Sequence, residues 1–341
     1  MIDQIKHTIE DISNDSIANV LSISGGKDST AMLLHAIERN VDFIAVFVDT
    51  GNEHQLTLEY IDYLQHATGV KIKTIKADYS DAVLRKREVI RKHWPKEKTI
   101  TIPGGKKKQL RAMTEEEINN SIEKLNPTGN PFLDLVMSKG RMPSTINRFC
   151  SIQLKQVPMM DQVVAPLMDS GKTVCSWQGV RADESTARSN YEPAIYENGI
   201  ISYRPILMWN VAQVFAIHKK HGVEPNPLYK MGMSRVGCMP CIHCCKSELK
   251  EIARRFPEEI KRIDKWETMV AEVSRSEIAR NLGKAEFFGR VNPKQVGSGT
   301  IKHRVAWANS DKGMQINLIT ELENEEFDET ACSAVYPMVC E

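Results

Sequence analysis

This chain contains no run approaching the roughly 18 consecutive apolar residues that a membrane-spanning helix requires. Its opening segment, MIDQIKHTIEDISND, lacks the apolar stretch of a secretory signal. Both absences point to a cytoplasmic protein with no membrane partner. There is no internal repeat and no low-complexity tract, and no charge of one sign dominates, because the formal net charge is only +1. Two common nucleotide motifs are missing from the turn where one would look for them, SISGGKDST at Ser22 to Thr30. A Walker A loop needs four residues between its first Gly and the Gly-Lys pair, and a dinucleotide fingerprint needs G-x-G-x-x-G.

What is present reads as a globular α/β chain. Hydrophobic residues make up 41% of 341 positions, enough for one large domain or two ordinary ones. The run Val20-Leu21-Ser22-Ile23 reads as a strand, and Ala31, Leu34 and Ile37 mark a helix behind the turn. A plain strand-to-helix turn accounts for Gly25 and Gly26, with Asp28 or Ser29 as cap. It leaves Lys27 unexplained, whereas the free N–H groups of a helix N-terminus beside a lysine suit a phosphate. Phe43 to Val48 is a near-continuous apolar strand ending in Asp49-Thr50-Gly51-Asn52-Glu53. Leu58, Ile61 and Leu64 mark a second helix, stopped by Gly69, and Val70 to Ile75 a third strand, so the order is βαβαβ. A sheet signal returns at Lys172 to Val180, ahead of the polar cluster Arg181 to Arg188. The expected fold is therefore a doubly wound, mostly parallel α/β sheet with ligands at the carboxyl ends of its strands. The expected organisation is a nucleotide-binding domain over 1–215, with a basic insertion at about 80–145, and a helical, cysteine-rich region over 216–341.

Charge and cysteine are unevenly placed. Arg85 to Arg111 holds eleven Lys or Arg against Glu88 and Glu97, about +9, together with Trp94 and the loop Pro103-Gly104-Gly105-Lys106-Lys107-Lys108. A solvated face is the plain reading; a nucleic-acid backbone or a polyphosphate is the functional one. The stretch Glu321 to Glu329 is acidic. Of the eight cysteines, Cys238, Cys241, Cys244 and Cys245 fall within eight residues. That C-x₂-C-x₂-C run with one further thiol is too crowded for a disulfide framework and lets three thiolates converge on a [4Fe–4S] cluster, with zinc as the alternative.

The turn resembles the PP-loop, SGGxDS, of the adenine-nucleotide α-hydrolase superfamily, whose members cleave ATP between its α- and β-phosphates. That resemblance implies that Ser24, Gly25, Gly26 and Ser29, with Ser22 beneath them, cradle the nucleotide. It further implies that Lys27 adds positive charge and Asp28 helps to hold Mg²⁺. Asn226 to Cys241 resembles the NPL-(H/Y)-x₂-G-x₃-GC-x-PC segment of sulfonucleotide reductases. Arg148 to Pro158 is similar to the context in which those enzymes carry a cysteine pair, although here Cys150 stands alone. In cluster-bearing members the pair and the C-x₂-C supply four ligands. The resemblance thus implies Cys150, Cys238 and Cys241, with Cys244 or Cys245 completing the set. Gly179 to Arg188 resembles the arginine motif of the superfamily, which implies a nucleotide grip by Arg181, Asp183, Glu184 and Arg188. Asp49-Thr50-Gly51 is similar to its second-strand nucleotide motif.

The chain is thus identified as a member of the phosphoadenosine phosphosulfate reductase-like family, nearest in character to the iron–sulfur ATP pyrophosphatases of DNA phosphorothioation. Such an enzyme cleaves ATP to pyrophosphate and an adenylate, activating an acceptor for sulfur transfer. Its implied partners are ATP, nucleic acid through residues 85–111, and a sulfur-donor protein or complex subunits. Lys27, Asp28, Arg181 and Arg188 are the expected catalytic residues. A thioredoxin-dependent sulfonucleotide reductase is the alternative, but the E-C-G-L-H tail motif of the reductases is absent, and only Cys340 stands late enough to replace its thiol. A nucleotide-binding subunit of a DNA-modification complex is the third reading.

Overall fold

The structure, a computed structural model, describes residues 16–101, 107–279, 281, 283–289, 295 and 297–310. The loop at 103–106, the acidic stretch at 321–329 and Cys340 lie outside the described residues. In chain order the strands are β1 Ile17–Ile23, β2 Phe43–Asp49, β3 Ile72–Lys76, β4 Lys98–Thr101, β5 Lys107–Leu110, β6 Thr173–Trp177, β7 Ala194–Glu197 and β8 Ile200–Tyr203. The longer helices are α1 Lys27–Glu38, α2 Gln55–Thr68, α3 Ser80–His93, α4 Glu115–Lys124, α5 Pro131–Lys139, α6 Val211–His221, α7 Lys246–Arg255, α8 Pro257–Glu272 and α9 Ile301–Ala308.

The described residues divide into two compact units: one built from residues 16–76 and Gln156–Met239, the other from Ala77–Lys155 and the described residues of 240–310. In the first, six strands form a sheet in the order β3-β2-β1-β6-β8-β7, parallel except for β7, which runs antiparallel to β8. β1 carries residues buried on both faces, as expected of a central parallel strand. Leu21 and Ile23 pack on one side with Leu33, Phe47 and Trp177, and Val20 on the other with Val46, Val163 and Val174. A polar pair is satisfied within this core: Trp177 Nε1 donates to Asn19 Oδ1 at 3.0 Å, and Asn19 Nδ2 to the carbonyl of Asp42 at 3.0 Å. Successive strands lead away from β1 in one direction and β6 flanks its other side, so the crevice at the β1 and β6 carboxyl ends is a topological switch point.

The sequence reading missed the β7–β8 hairpin. Its turn is Asn198-Gly199, with φ of 53° and 80°, the paired positive angles of a type I′ connection.

The expected division at 215/216 is corrected: that boundary falls inside α6, which belongs to the sheet unit. Residues 80–145 are likewise not a mere insertion over the sheet. They share a hydrophobic core with the later helices, where Phe132, Leu135 and Val136 of α5 meet Ile263, Trp266 and Val270 of α8. The rings of Phe132 and Trp266 stack at 5.4 Å. Two amphipathic segments far apart in sequence bury each other's apolar faces, and that burial defines the second unit. No helix among the described residues is long and apolar enough to cross a membrane.

Candidate functional site

The turn after β1 is held from within and from behind. Gly25 has φ of 73°, where an L side chain is strained, and a Cβ there would stand 3.1 Å from Thr57 Cγ2. Gly26 is the N-cap of α1 and, having no side chain, leaves the helix without a side-chain cap. Ser29 Oγ donates to the Gly26 carbonyl at 3.0 Å and accepts from Ser24 N at 3.1 Å, so Ser24 Oγ is the donor in the 3.0 Å hydroxyl contact between the two serines. Both hydroxyls therefore splint the turn. From behind, Asn226 Nδ2 donates to Gly25 O at 3.2 Å, His218 Nε2 lies 2.9 Å from Lys27 O, and Lys27 N donates to Tyr229 Oη at 2.9 Å. His218 is buried, and burial holds its pKa below the usual histidine value.

In front of the turn runs a line of alternating charges. Asp28 accepts from Lys27 Nζ at 2.9 Å on one oxygen and from Arg181 Nε at 2.5 Å on the other. Arg181 Nη1 reaches both oxygens of Asp183, at 2.5 and 2.6 Å, while its backbone N–H donates to Glu184 Oε2 at 2.9 Å. Arg188 pairs with the same Glu184. Burial works against the charge of Arg181, but Asp28, Asp183 and Glu184 outweigh it and raise its pKa. Gly179 makes this approach possible: a Cβ there would lie 2.8 Å from Ser29 Cα and 2.9 Å from Ser29 N, so the segment after β6 reaches the N-terminus of α1 only without a side chain. These groups line a cleft of about 450 Å³ that Tyr229, Ser234 and Arg235 also enter.

The structure thus gathers Ser24, Gly26, Lys27, Asp28, Ser29, Arg181, Asp183, Glu184 and Arg188 at one cleft. It does not bring Ser22, Gly25, Asp49, Thr50 or Gly51 to its lining. Ser22 sits within β1 opposite Val46. Asp49 Oδ1 accepts from Gly51 N at 2.8 Å and so caps its own turn. Thr50 N and Oγ1 donate to Glu53, at 3.0 Å and at 2.7 to 2.8 Å, and Cys238 Sγ lies 3.8 Å from Glu53 and 3.6 Å from Thr50 Oγ1. Sequence reading assigned no role to His218, Asn226, Tyr229 or Arg235. The NPLY segment that contains two of them was the available signal.

In the second unit, Cys150 and Cys241 pack against the same core and Cys244 is buried within it. Burial, and then the neighbouring charge of Cys241, push the Cys150 thiol up. These two thiols therefore stand within electrostatic reach of each other. The Arg304 guanidinium lies 3.8 Å from the Trp307 ring centroid and within electrostatic reach of Cys244. Cys245 stands at the N-cap position of α7 without a side-chain cap bond, its Sγ 3.2 Å from Ser247 Oγ. Among the described residues, no group of three or more Cys, His, Asp or Glu side chains is assembled as a metal site.

The family model of the phosphoadenosine phosphosulfate reductase domain matches residues 18–244. The chain is 43% identical over 342 residues to an uncharacterized 37.8 kDa protein of Escherichia phage 186, covering 96% of this chain and 98% of that one. It is 25% identical over 136 residues to an adenosine 5'-phosphosulfate reductase of Allochromatium vinosum, covering 39% of this chain and 52%, about half, of that reductase. Among solved structures, the phosphoadenylyl-sulfate reductase of Candida auris in its phosphate complex is similar, with TM-score 0.40, 17% identity, and coverage of 70% of this chain and 95% of that one.

Proposed function

Because the chain belongs to the phosphoadenosine phosphosulfate reductase domain family, we propose that it is a PP-loop enzyme that cleaves ATP between the α- and β-phosphates. An acceptor oxygen attacks the α-phosphorus, the bond to the bridging oxygen of pyrophosphate breaks, the acceptor's proton passes to solvent, and an adenylate remains. The observation that carries this reading is the N-terminus of α1, whose N-cap Gly26 offers no side chain, at a cleft with Lys27, Arg181, Arg188 and Arg235 around it. Backbone N–H groups and fixed cations there oppose a polyphosphate without reorganising, which is the main catalytic term such a site offers. Both oxygens of Asp28 already hold cations. In this reading its first task is to position Lys27 and Arg181, and Mg²⁺ would arrive on the nucleotide's own phosphates with Asp28 as the carboxylate facing it. The adenylate would then be displaced by sulfur from a donor protein.

The named similarity to adenosine 5'-phosphosulfate reductases favours a second reading, reduction of a sulfonucleotide with Cys340 as the thiol. One pair of assays separates the two. Labelled ATP should yield pyrophosphate, unchanged in Cys340→Ser. Sulfite from a sulfonucleotide with thioredoxin, lost in Cys340→Ser, would make the chain a reductase and overturn the ATP reading.

A [4Fe–4S] cluster is proposed on Cys238, Cys241 and Cys244 from the C-x₂-C-x₂-C run and on Cys150 from the resemblance to cluster-bearing reductases, with Cys244 preferred over Cys245 because it is buried. When bound, such a cluster supplies one-electron chemistry or a covalent anchor for the fold. Anaerobically purified protein should carry about four irons and as many acid-labile sulfides per chain. Cys241→Ser should lose both and melt earlier, since metal binding is linked to folding. Stoichiometric zinc without sulfide would replace the cluster by a zinc site.

A further inference from the structure

We propose that the second unit carries nucleic-acid phosphate-binding cations, a cluster of Lys86, Lys98, Lys139 and Arg141, with Arg85 and Lys92 as a separate pair on the exposed side of α3. It stands independently of the nucleotide cleft. Surface cations usually find carboxylates three or four residues away. In this region Arg91 pairs with Glu88 and Arg111 with Glu117. Among the described residues, the six proposed cations have no carboxylate partner.

Four of them are grouped: Lys98 and Lys139 lie within electrostatic reach of Lys86, and Lys139 and Arg141 share one aromatic ring. The Lys86 ammonium lies 3.4 Å from where a Cβ on Gly140 would stand, at the C-terminus of α5. Burial lowers the Lys86 pKa first, and the charges of Lys98 and Lys139 lower it further. Like charges gathered without an acid raise the free energy of the isolated chain, and an external anion relieves this. Lys139 and Arg141 are oriented by one aromatic ring, with their cations 5.6 and 5.5 Å from the centroid of Phe149. Beside them, in a turn closed by Ser144 N to Asn147 O at 3.1 Å, Ile146 is 96% exposed between Arg141 and Arg148.

The spread of these groups favours a polymer over a single phosphate ion. Arg85 and Lys92 are seven residues apart on one helix, about 10 Å along its axis. Duplex DNA offers one charge per about 1.7 Å of axis, so cations spaced this way each meet a phosphate. An apolar tip among them matches the wedges with which proteins press on exposed bases. Such contacts read the backbone and not the sequence.

The test is fluorescence anisotropy of the full-length protein with labelled duplex DNA, single-stranded DNA and RNA of arbitrary sequence, over rising salt. Wild type should bind, with log K falling linearly in log salt. The exposed triple variant Lys98→Gln, Lys139→Gln, Arg141→Gln should bind more weakly, with a slope shallower by about two to three. Arg85→Gln with Lys92→Gln should move the slope in the same direction, and unchanged melting curves would exclude misfolding as the cause. An unchanged slope in folded variants overturns the proposal. So does wild type that binds no nucleic acid, or binds only anionic vesicles or polyglutamate.

Discussion

Lys27→Ala is expected to lower pyrophosphate release from ATP by more than ~100-fold, about 2.7 kcal/mol of transition-state stabilisation, the scale on which removing one positioned donor acts. The lysine is 5% exposed, its ammonium is fixed at 2.9 Å by Asp28 and lies 5.7 Å from the centroid of the Tyr229 ring, so its charge is aimed before substrate arrives. Its removal leaves Asp28 paired with Arg181, and the turn keeps its grip from Asn226 and His218. The protein should therefore still fold, at some cost in melting temperature from the half-paired Asp28, and nucleotide binding should weaken less than turnover falls. Stopped-flow or endpoint pyrophosphate detection, with kcat and KM measured separately, reads this directly. Wild-type kcat in a folded Lys27→Ala protein would remove the lysine from the chemistry. The same substitution should leave iron content unchanged, which separates a failure of the cleft from a failure of the cysteine region.

The half of this architecture that is written locally was legible in the sequence. Phe43 to Val48 reads as a buried strand because both faces of a parallel strand are covered, and Gly69 reads as a stop because α2 ends on it with φ of 71°. The PP-loop was legible because its chemistry lies within six consecutive residues. What supports that loop was not. Tyr229 reaches Lys27 across 202 positions and His218 across 191, and no periodicity encodes such an approach. Asp49 shows a different limit: an acid at a strand end suggests a ligand, and the structure shows that it also caps its own turn at Gly51. The division into units was hidden because the partner of α5 lies beyond residue 256. The Asn198-Gly199 hairpin, by contrast, was a local signal overlooked between two polar stretches.

Arg181→Met should destabilise the sheet unit by about 3 to 5 kcal/mol, because it leaves a carboxylate built for two cations with only one in a poorly hydrated site. The side chain of Arg181 is 3% exposed and that of Asp28 13%, so water cannot take over the lost interaction cheaply. Methionine approximates the volume of the stem, which keeps a cavity from dominating the result. Thermal melting should show a drop of roughly 10 °C for a unit of this size. Adding Asp28→Asn removes the stranded charge and should restore part of that loss, although it cannot restore turnover, since Lys27 and the polyphosphate then lose their organiser. The sign of that second step carries the argument. If the double variant melts below Arg181→Met, then Asp28 is held in place by more than the two cations, and the alternating line of charges is not what fixes the segment after β6 against the N-terminus of α1.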